Sequence, residues 1–328
     1  MEIPSIYPDQ EYHSSLIKPS GCMGRLENIA VWFSTRQGKK IPDAIKPAVV
    51  LFAADHGIAS EVDYETSATT AELLTAALAE NSTIRKLCAQ AHAPLYIVDV
   101  GVNANLAEVD GIEHAKVRAG TANPAHESAM NQGDYWECTG IGEEMANRMI
   151  ADGANLLIAG SIAAHDEVSV AAVISELTGL APEEVLRPDV HGSPDIYARE
   201  LIAIETALAR TQGTPSHDIL RELGGLELAA MAGFYRAAAH KGVPVLLDGL
   251  ASTAAALAAA AWDVRIAGWM LASHVSDDAG HRQAIEDLGL EPLMQLKKSI
   301  GEARVATLLV PVLQSALTMQ AGLALLEA

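Results

Sequence analysis

The chain is poor in aromatic residues, in positive charge and in cysteine. Phe, Trp and Tyr together make up 4% of its 328 residues, too few for the stacking platforms that hold single-stranded nucleic acid. Lys and Arg number 22 against 42 Asp and Glu, a formal net charge of −20. Such a field repels phosphate backbones and anionic headgroups, so neither nucleic acid nor a membrane surface is expected as a partner. Cys22, Cys88 and Cys138 are odd in number, far apart and without a C-x-x-C pair, which spells neither a disulfide framework nor a zinc site. The longest apolar run, residues 254–262, is far short of the roughly 20 residues of a membrane span. The opening stretch MEIPSIYPDQEYHSS is acidic and lacks the apolar core of a signal peptide. A soluble, cytoplasmic protein is expected.

What is present is a large aliphatic core. Half of the residues are hydrophobic, and 25 Gly with 14 Pro exclude collagen and low complexity. Five short apolar runs end in turn signals: residues 47–57, 93–103, 153–161, 242–249 and 264–274. Each reads as a strand buried on both faces. Residues 71–91, 142–152, 200–210 and 252–261 lie between them with helical spacing. Alternating strands and helices predict a doubly wound parallel α/β sheet of Rossmann-like type. Asp248-Gly249 followed by Ser252 reads as a strand end, a turn and a helix N-cap. Residues 16–34 and 290–328 read as helical, so the expected organisation is an α/β domain over 30–285 and a small helical lobe built from 1–29 and 286–328. Ligands in such sheets sit beyond the carboxyl ends of the strands. That rim carries Asp55, His56, Gly57, Asp99, Gly101, Gly160, Ser161, Asp248 and Ser273.

Generic motifs are mostly missing. The first strand ends in ADHGIAS where a dinucleotide fold needs G-x-G-x-x-G, and the G-x-G at Gly140 and Gly142 has Met145 in the third glycine's place. There is no phosphate-binding G-x-x-x-x-G-K-[ST], no G-x-S-x-G elbow and no H-E-x-x-H. Asp55-His56 is read as a hydrogen-bonded structural pair in preference to a metal site. His165-Asp166-Glu167 is read as a solvated acidic helix start, because the helix dipole alone favours acids there. No metal and no cofactor are expected.

Segments along the whole chain resemble the nicotinate-nucleotide:dimethylbenzimidazole phosphoribosyltransferase family: LIKPSGCMGRLE (16–27), KPAVVLFAADHG (46–57), VRAGTANPAHESAM (117–130), GGLELAAMAG (224–233), VPVLLDGLASTAAAL (243–257), Gly280-His281-Arg282 and LKKSIGEA (296–303). The resemblance implies a dimer with active sites near the subunit interface, and transfer of phosphoribose from nicotinate mononucleotide to an aromatic base in cobamide biosynthesis. It places the proton-accepting base at Glu302 and the ligand rim at Asp55, His56, Gly160, Ser161 and Glu200.

Departures from the family pattern concentrate on that rim. Where the family carries a run close to G-E-M-G-I-G-N-T-T around the 5′-phosphate, this chain reads Gly160-Ser161-Ile162-Ala163-Ala164-His165-Asp166-Glu167-Val168. Two carboxylates stand where phosphate oxygens bind, and carboxylates can take the helix amides themselves. The family's phosphate lysine aligns with Glu200, its G-R-G-T-G-like segment with Arg187-Pro188-Asp189-Val190-His191, its glycine pair with Glu80-Asn81, and its Y-P-Q with Glu65-Thr66-Ser67. After Glu302 the family's glycine and threonine give way to Ala303, Arg304 and Val305, and Arg304 is placed to pair with Glu302. The expectation is a non-catalytic partner of a homologous catalytic subunit in a heterodimer, on a base that includes phenol or p-cresol. The alternatives are an active homodimer using Glu302 and a non-enzymatic ligand-binding protein on the same fold.

Overall fold

The computed structural model describes residues 12, 15–19, 21, 22, 24–62, 64, 68–186, 193–298 and 300–324. Its centre is a six-stranded parallel sheet in the order β3-β2-β1-β4-β5-β6. The strands are β1 (Pro47–Ala54), β2 (Leu95–Gly101), β3 (Glu113–His114), β4 (Leu156–Ile162), β5 (Val245–Leu247) and β6 (Met270–Ala272). All eight residues of β1 are buried, as a strand covered by helices on both sides requires.

The period-two alternation of β1 divides two cores. Ala48, Val50, Phe52 and Ala54 face a layer made by α4 (Gln132–Ala151), α5 (Asp166–Thr178), α7 (Pro194–Arg210), α9 (Leu226–His240) and α10 (Leu250–Trp262). The short helices α6 (Pro182–Val185) and α8 (Ile219–Leu223), and α11 (Ala279–Asp287), complete that layer. Val49, Leu51 and Ala53 face α1 (Arg25–Gln37), α2 (Thr70–Leu78), α3 (Thr83–Ala91) and α12 (Arg304–Ala321). Helices from both ends of the chain, α1 and α12, pack on each other and on this face.

The layers are close because small residues line the contacts. A Cβ on Gly142 of α4 would stand 1.8 Å from the carbonyl oxygen of Ala230 in α9. Ala-rich α9 and α10 present little side chain, so the helices approach nearly backbone to backbone.

Several local expectations change. Residues 71–91 form two helices, because Ser82 caps a second start by accepting from the Arg85 amide at 3.4 Å; Glu80-Asn81 lies in the break. Residues 264–269, expected as strand, form a 3-10 helix that begins where Asp263 accepts from the Arg265 amide. Ser252 is not the N-cap of α10: Gly249 holds that position, and the Ser252 hydroxyl turns back to accept from the Asp248 amide at 3.1 Å. Residues 16–24 are not helical among those described, and α1 starts at Arg25 after the left-handed Gly24. The helical reading of 290–328 holds for α12, whereas β8 (Met294–Gln295) pairs in parallel with β7 (His274–Val275). Residues 65–67 and 187–191 lie outside the described residues.

The α4–α9 contact gives a paired prediction. Gly142→Ala is expected to destabilise by about 3 kcal/mol, since two backbones must separate. Gly140→Ala in the same helix, where a Cβ meets nothing within 4 Å, is expected to stabilise by up to about 1 kcal/mol. Urea unfolding of the two variants checks both signs.

Candidate functional site

The strand order reverses at β1, so the carboxyl ends of β1 and its neighbour β4 form the crevice in which open α/β sheets bind ligands. Asp55 and His56 follow β1, and Gly160 and Ser161 lie in β4 beside Leu51 and Phe52. The two residues after β1 do different work. Asp55 stays at the rim and ties loops together: its carboxylate accepts from the Asn103 amide at 2.6 Å and from the Thr70 hydroxyl at 2.5 Å. Thr70 in turn accepts from the Ala164 amide at 2.9 Å.

His56 turns inward. Its Nε2 lies 3.0 Å from Glu227 Oε1 in α9 and its Nδ1 lies 2.8 Å from the Ser169 hydroxyl in α5. Burial pushes the imidazole down, but the charge of Glu227 and its hydrogen bond outweigh burial and raise it to about 9. His56 is therefore an imidazolium in a buried ion pair. The Ser-His-Glu grouping has the residue types of a hydrolytic triad, yet all three are buried, so no substrate reaches Ser169.

The start of α5 carries the acidic pair of the rim. His165 holds a left-handed backbone, φ 60° and ψ 33°, at the position before the helix, a conformation that costs a non-glycine residue roughly 1–2 kcal/mol. The loop thus keeps a glycine-like turn with a side chain on it. That side chain stacks on Tyr64 with ring centroids 3.5 Å apart and lies 3.5 Å from Glu167. The Tyr64 hydroxyl donates to Glu200 Oε1 at 2.8 Å, and Glu200 is wholly buried.

The acidic helix start expected from the sequence is only half solvated at Asp166, which is partly buried. Burial first, then the neighbouring Glu167, raise its carboxyl to about 7, against the opposing pull of His56 and the Ser161 hydrogen bond. Nor does its carboxylate turn back onto the helix amides in the way the sequence suggested: it accepts from the Ser161 hydroxyl at 3.1 Å.

Glu302 meets the same rim from the other side of the crevice. Gly301, Glu302 and Ala303 have φ of 62°, 53° and 57°, three consecutive left-handed residues in a tight turn. The turn lies against Gly160, where a Cβ would stand 2.6 Å from the Ala303 nitrogen and 3.0 Å from the Glu302 carbonyl carbon. The pair foreseen from sequence is formed: Arg304 Nη2 donates to Glu302 Oε2 at 2.5 Å. Asp248, buried beyond β5, reaches the turn with Oδ1 2.9 Å from the Ala306 amide. Burial raises Asp248 to about 6 in spite of hydrogen bonds from the amides of Ala306, Val305 and Ala303.

The remaining rim residues serve turns. Asp99 Oδ1 accepts from the amides of Gly101 and Val102 at 3.1 and 2.8 Å. Gly57 donates its amide to the Thr121 hydroxyl at 2.9 Å, and Ser273 bonds the Asp248 carbonyl at 3.3 Å. Gly160, Ser161 and Glu302 therefore share one crevice with Asp55, Glu200 joins through Tyr64, and His56 lies behind it. Sequence reasoning missed Glu227, Ser169 and Tyr64. Only Glu227 had a signal, its place in the GGLELAA segment. A separate cavity of about 540 Å³ lies at the amino ends of β1, β2 and β4, opposite the crevice, bordered by Lys46, Pro47, Pro94, Asp152 and Pro311. Among the described residues no three His, Cys, Asp or Glu side chains are grouped to hold a metal ion, and no helix is long and apolar enough to cross a membrane.

Comparison with known proteins covers nearly the whole chain. A family model described as Phosphoribosyltransferase matches residues 9–328. The nicotinate-nucleotide–dimethylbenzimidazole phosphoribosyltransferase of Chromobacterium violaceum is 40% identical over 312 residues, 94% of this chain and 90% of that protein. The enzyme of that name from Thermus thermophilus is 36% identical over 303 residues, 92% of this chain and 90% of that protein. The crystal structure of CobT from Thermus thermophilus superposes with a TM-score of 0.91 at 33% identity, covering 98% of this chain and 96% of that one.

The raised groups dictate how stability depends on pH. A group raised on folding contributes stability that is present below its unfolded pKa and is lost as pH rises through its folded value. Asp166 and Asp248 act between about 4 and their folded values of about 7 and about 6, and His56 acts between 6.5 and about 9. The melting temperature is expected to fall from pH 6 to pH 9.5. Asp166→Asn is expected to flatten, without abolishing, the fall below pH 7 and to stabilise by about 1–2 kcal/mol at pH 8, discounted for partial exposure. Thermal denaturation of both proteins across that range checks it.

Proposed function

The chain belongs to the nicotinate-nucleotide–dimethylbenzimidazole phosphoribosyltransferase family, and we propose that within it this chain is the degenerate subunit of a heterodimer whose homologous partner carries out catalysis. The family reaction places a base nitrogen, or a phenolic oxygen, on the anomeric carbon of nicotinate mononucleotide as nicotinate leaves, with a carboxylate taking the proton. Such a site needs a cradle for the 5′-phosphate.

The observation that carries the proposal is the start of α5. Asp166 and Glu167 stand there beside His165, and the ring of His165 is covered by Tyr64. A phosphate oxygen 4 Å from one carboxylate such as Glu167 is repelled by about 4 kcal/mol at the intermediate dielectric of a cleft, enough to lose roughly a thousandfold in affinity, and Asp166 adds its charge above its raised pKa of about 7. Arg304 on Glu302 works in the same direction, since the ion pair occupies the carboxylate that the reaction would need free. The helical layers and the sheet are kept, which is what a subunit needs in order to pair with a homologue of its own shape.

One observation favours a second reading, an active homodimer. Glu302 stays at the crevice on a strained turn, and strain of this kind accumulates where geometry matters.

The experiment assays the purified chain with nicotinate mononucleotide and either dimethylbenzimidazole or phenol, alone and after co-expression with a homologous subunit. The expected outcome is turnover only in the mixed complex, and robust turnover by the chain alone overturns the proposal. Titration calorimetry adds a gain-of-function arm. The triple change His165→Gly, Asp166→Asn, Glu167→Thr is expected to raise affinity for nicotinate mononucleotide at least tenfold over the parent.

A further inference from the structure

We propose that Asp248 is a positioning residue that clamps the turn bearing Glu302, supplying from a neighbouring strand the N-terminal cap that α12 cannot make for itself. The first amides of any helix have no partner within it, and the residue before the helix normally accepts one with its side chain. Before α12 that residue is Ala303, which has no acceptor and makes no side-chain capping bond. Asp248 Oδ1 accepts from the Ala306 amide at 2.9 Å, and the same carboxyl takes the amides of Val305 and Ala303. A carboxylate also suits the positive end of the helix dipole.

Asp248 is itself held on all sides. Its amide donates to the Ser252 hydroxyl at 3.1 Å, which the Tyr235 hydroxyl meets at 2.7 Å. Its carbonyl accepts from Ser273 at 3.3 Å, and the residue is 3% exposed. The carboxyl is thus a fixed point on the sheet, and the turn is built outward from it. Gly301, Glu302 and Ala303 hold left-handed dihedrals that non-glycine residues leave when unconstrained. Gly160, having no Cβ, lets the turn lie directly against β4. Release of the clamp leaves Gly301 to Ala303 free to unwind, and the Glu302 carboxylate moves with them. The inference takes from the family reading only what Glu302 does. The clamp itself is independent of which subunit turns over.

Arg304 makes the clamp measurable, because trypsin cleaves after it when the turn opens. The test uses the full chain at pH 8. Asp248→Ala is expected to speed cleavage after Arg304 at least tenfold, with other tryptic sites unchanged, and Asp248→Asn, which keeps an acceptor oxygen, is expected to stay within threefold of the parent. An unchanged rate at Arg304, or equal acceleration at every site, overturns the proposal. Hydrogen exchange of the parent protein covers the case in which Asp248→Ala does not fold. The amides of Val305 and Ala306 are expected to exchange as slowly as those of β5, and exchange at the rate of a frayed helix start overturns the clamp. In whichever assembly shows turnover dependent on Glu302 of this chain, Asp248→Ala is expected to lower kcat at least tenfold with KM for nicotinate mononucleotide within twofold. Cleavage and exchange as expected with no Glu302-dependent turnover anywhere would sink the catalytic reading while leaving the clamp standing.

Discussion

The buried pair of His56 and Glu227 is the contact on which the arrangement of the crevice depends. An imidazolium and a carboxylate taken out of water are tolerated only with close geometry and further hydrogen bonds, and here the distance is 3.0 Å with Ser169 on the other ring nitrogen. These bonds draw three separate elements together: the end of β1, α9 through Glu227 and α5 through Ser169. They also set the local field, because the positive ring partly offsets the negative charge gathered around Asp166. Removing one partner would leave an uncompensated charge in the core, so the pair constrains every rearrangement of the rim.

The central strands were legible because burial on both faces leaves continuous apolar runs, as in PAVVLFAA of β1. Features decided by two or three residues were not. β3 spans only Glu113–His114 and the β7–β8 ladder two residues on each side, too short to show a period. The break between α2 and α3 depends on the Ser82 hydroxyl, inside a stretch whose apolar spacing continues through it. The site was half legible. Gly160 lies against the Glu302–Ala303 turn, but the partner of His56 lies 171 residues further along the chain. No spacing rule connects them. Asp166 shows the sharper failure: the dipole argument places an acid at a helix start correctly and says nothing of whether water reaches it.

Scaffold and rim follow different rules in this chain. The sheet and its layers satisfy packing demands that any member of the fold must meet, down to a glycine where α4 crosses α9. At the rim, carboxylates bond a serine, a tyrosine and an arginine of the same chain. A ligand that engages these carboxylates must first break bonds that fold and site share.

The left-handed His165 has a consequence for how this sequence can change. At φ 60° a glycine would carry no strain, so the histidine is tolerated through its stack on Tyr64 and its contact with Glu167. Restoring glycine alone would relieve the backbone while stripping Tyr64 of its partner, and exchanging Tyr64 alone would leave the strain without its compensation. The identities of His165 and Tyr64 are therefore epistatic: the effect of changing either depends on whether the other is present.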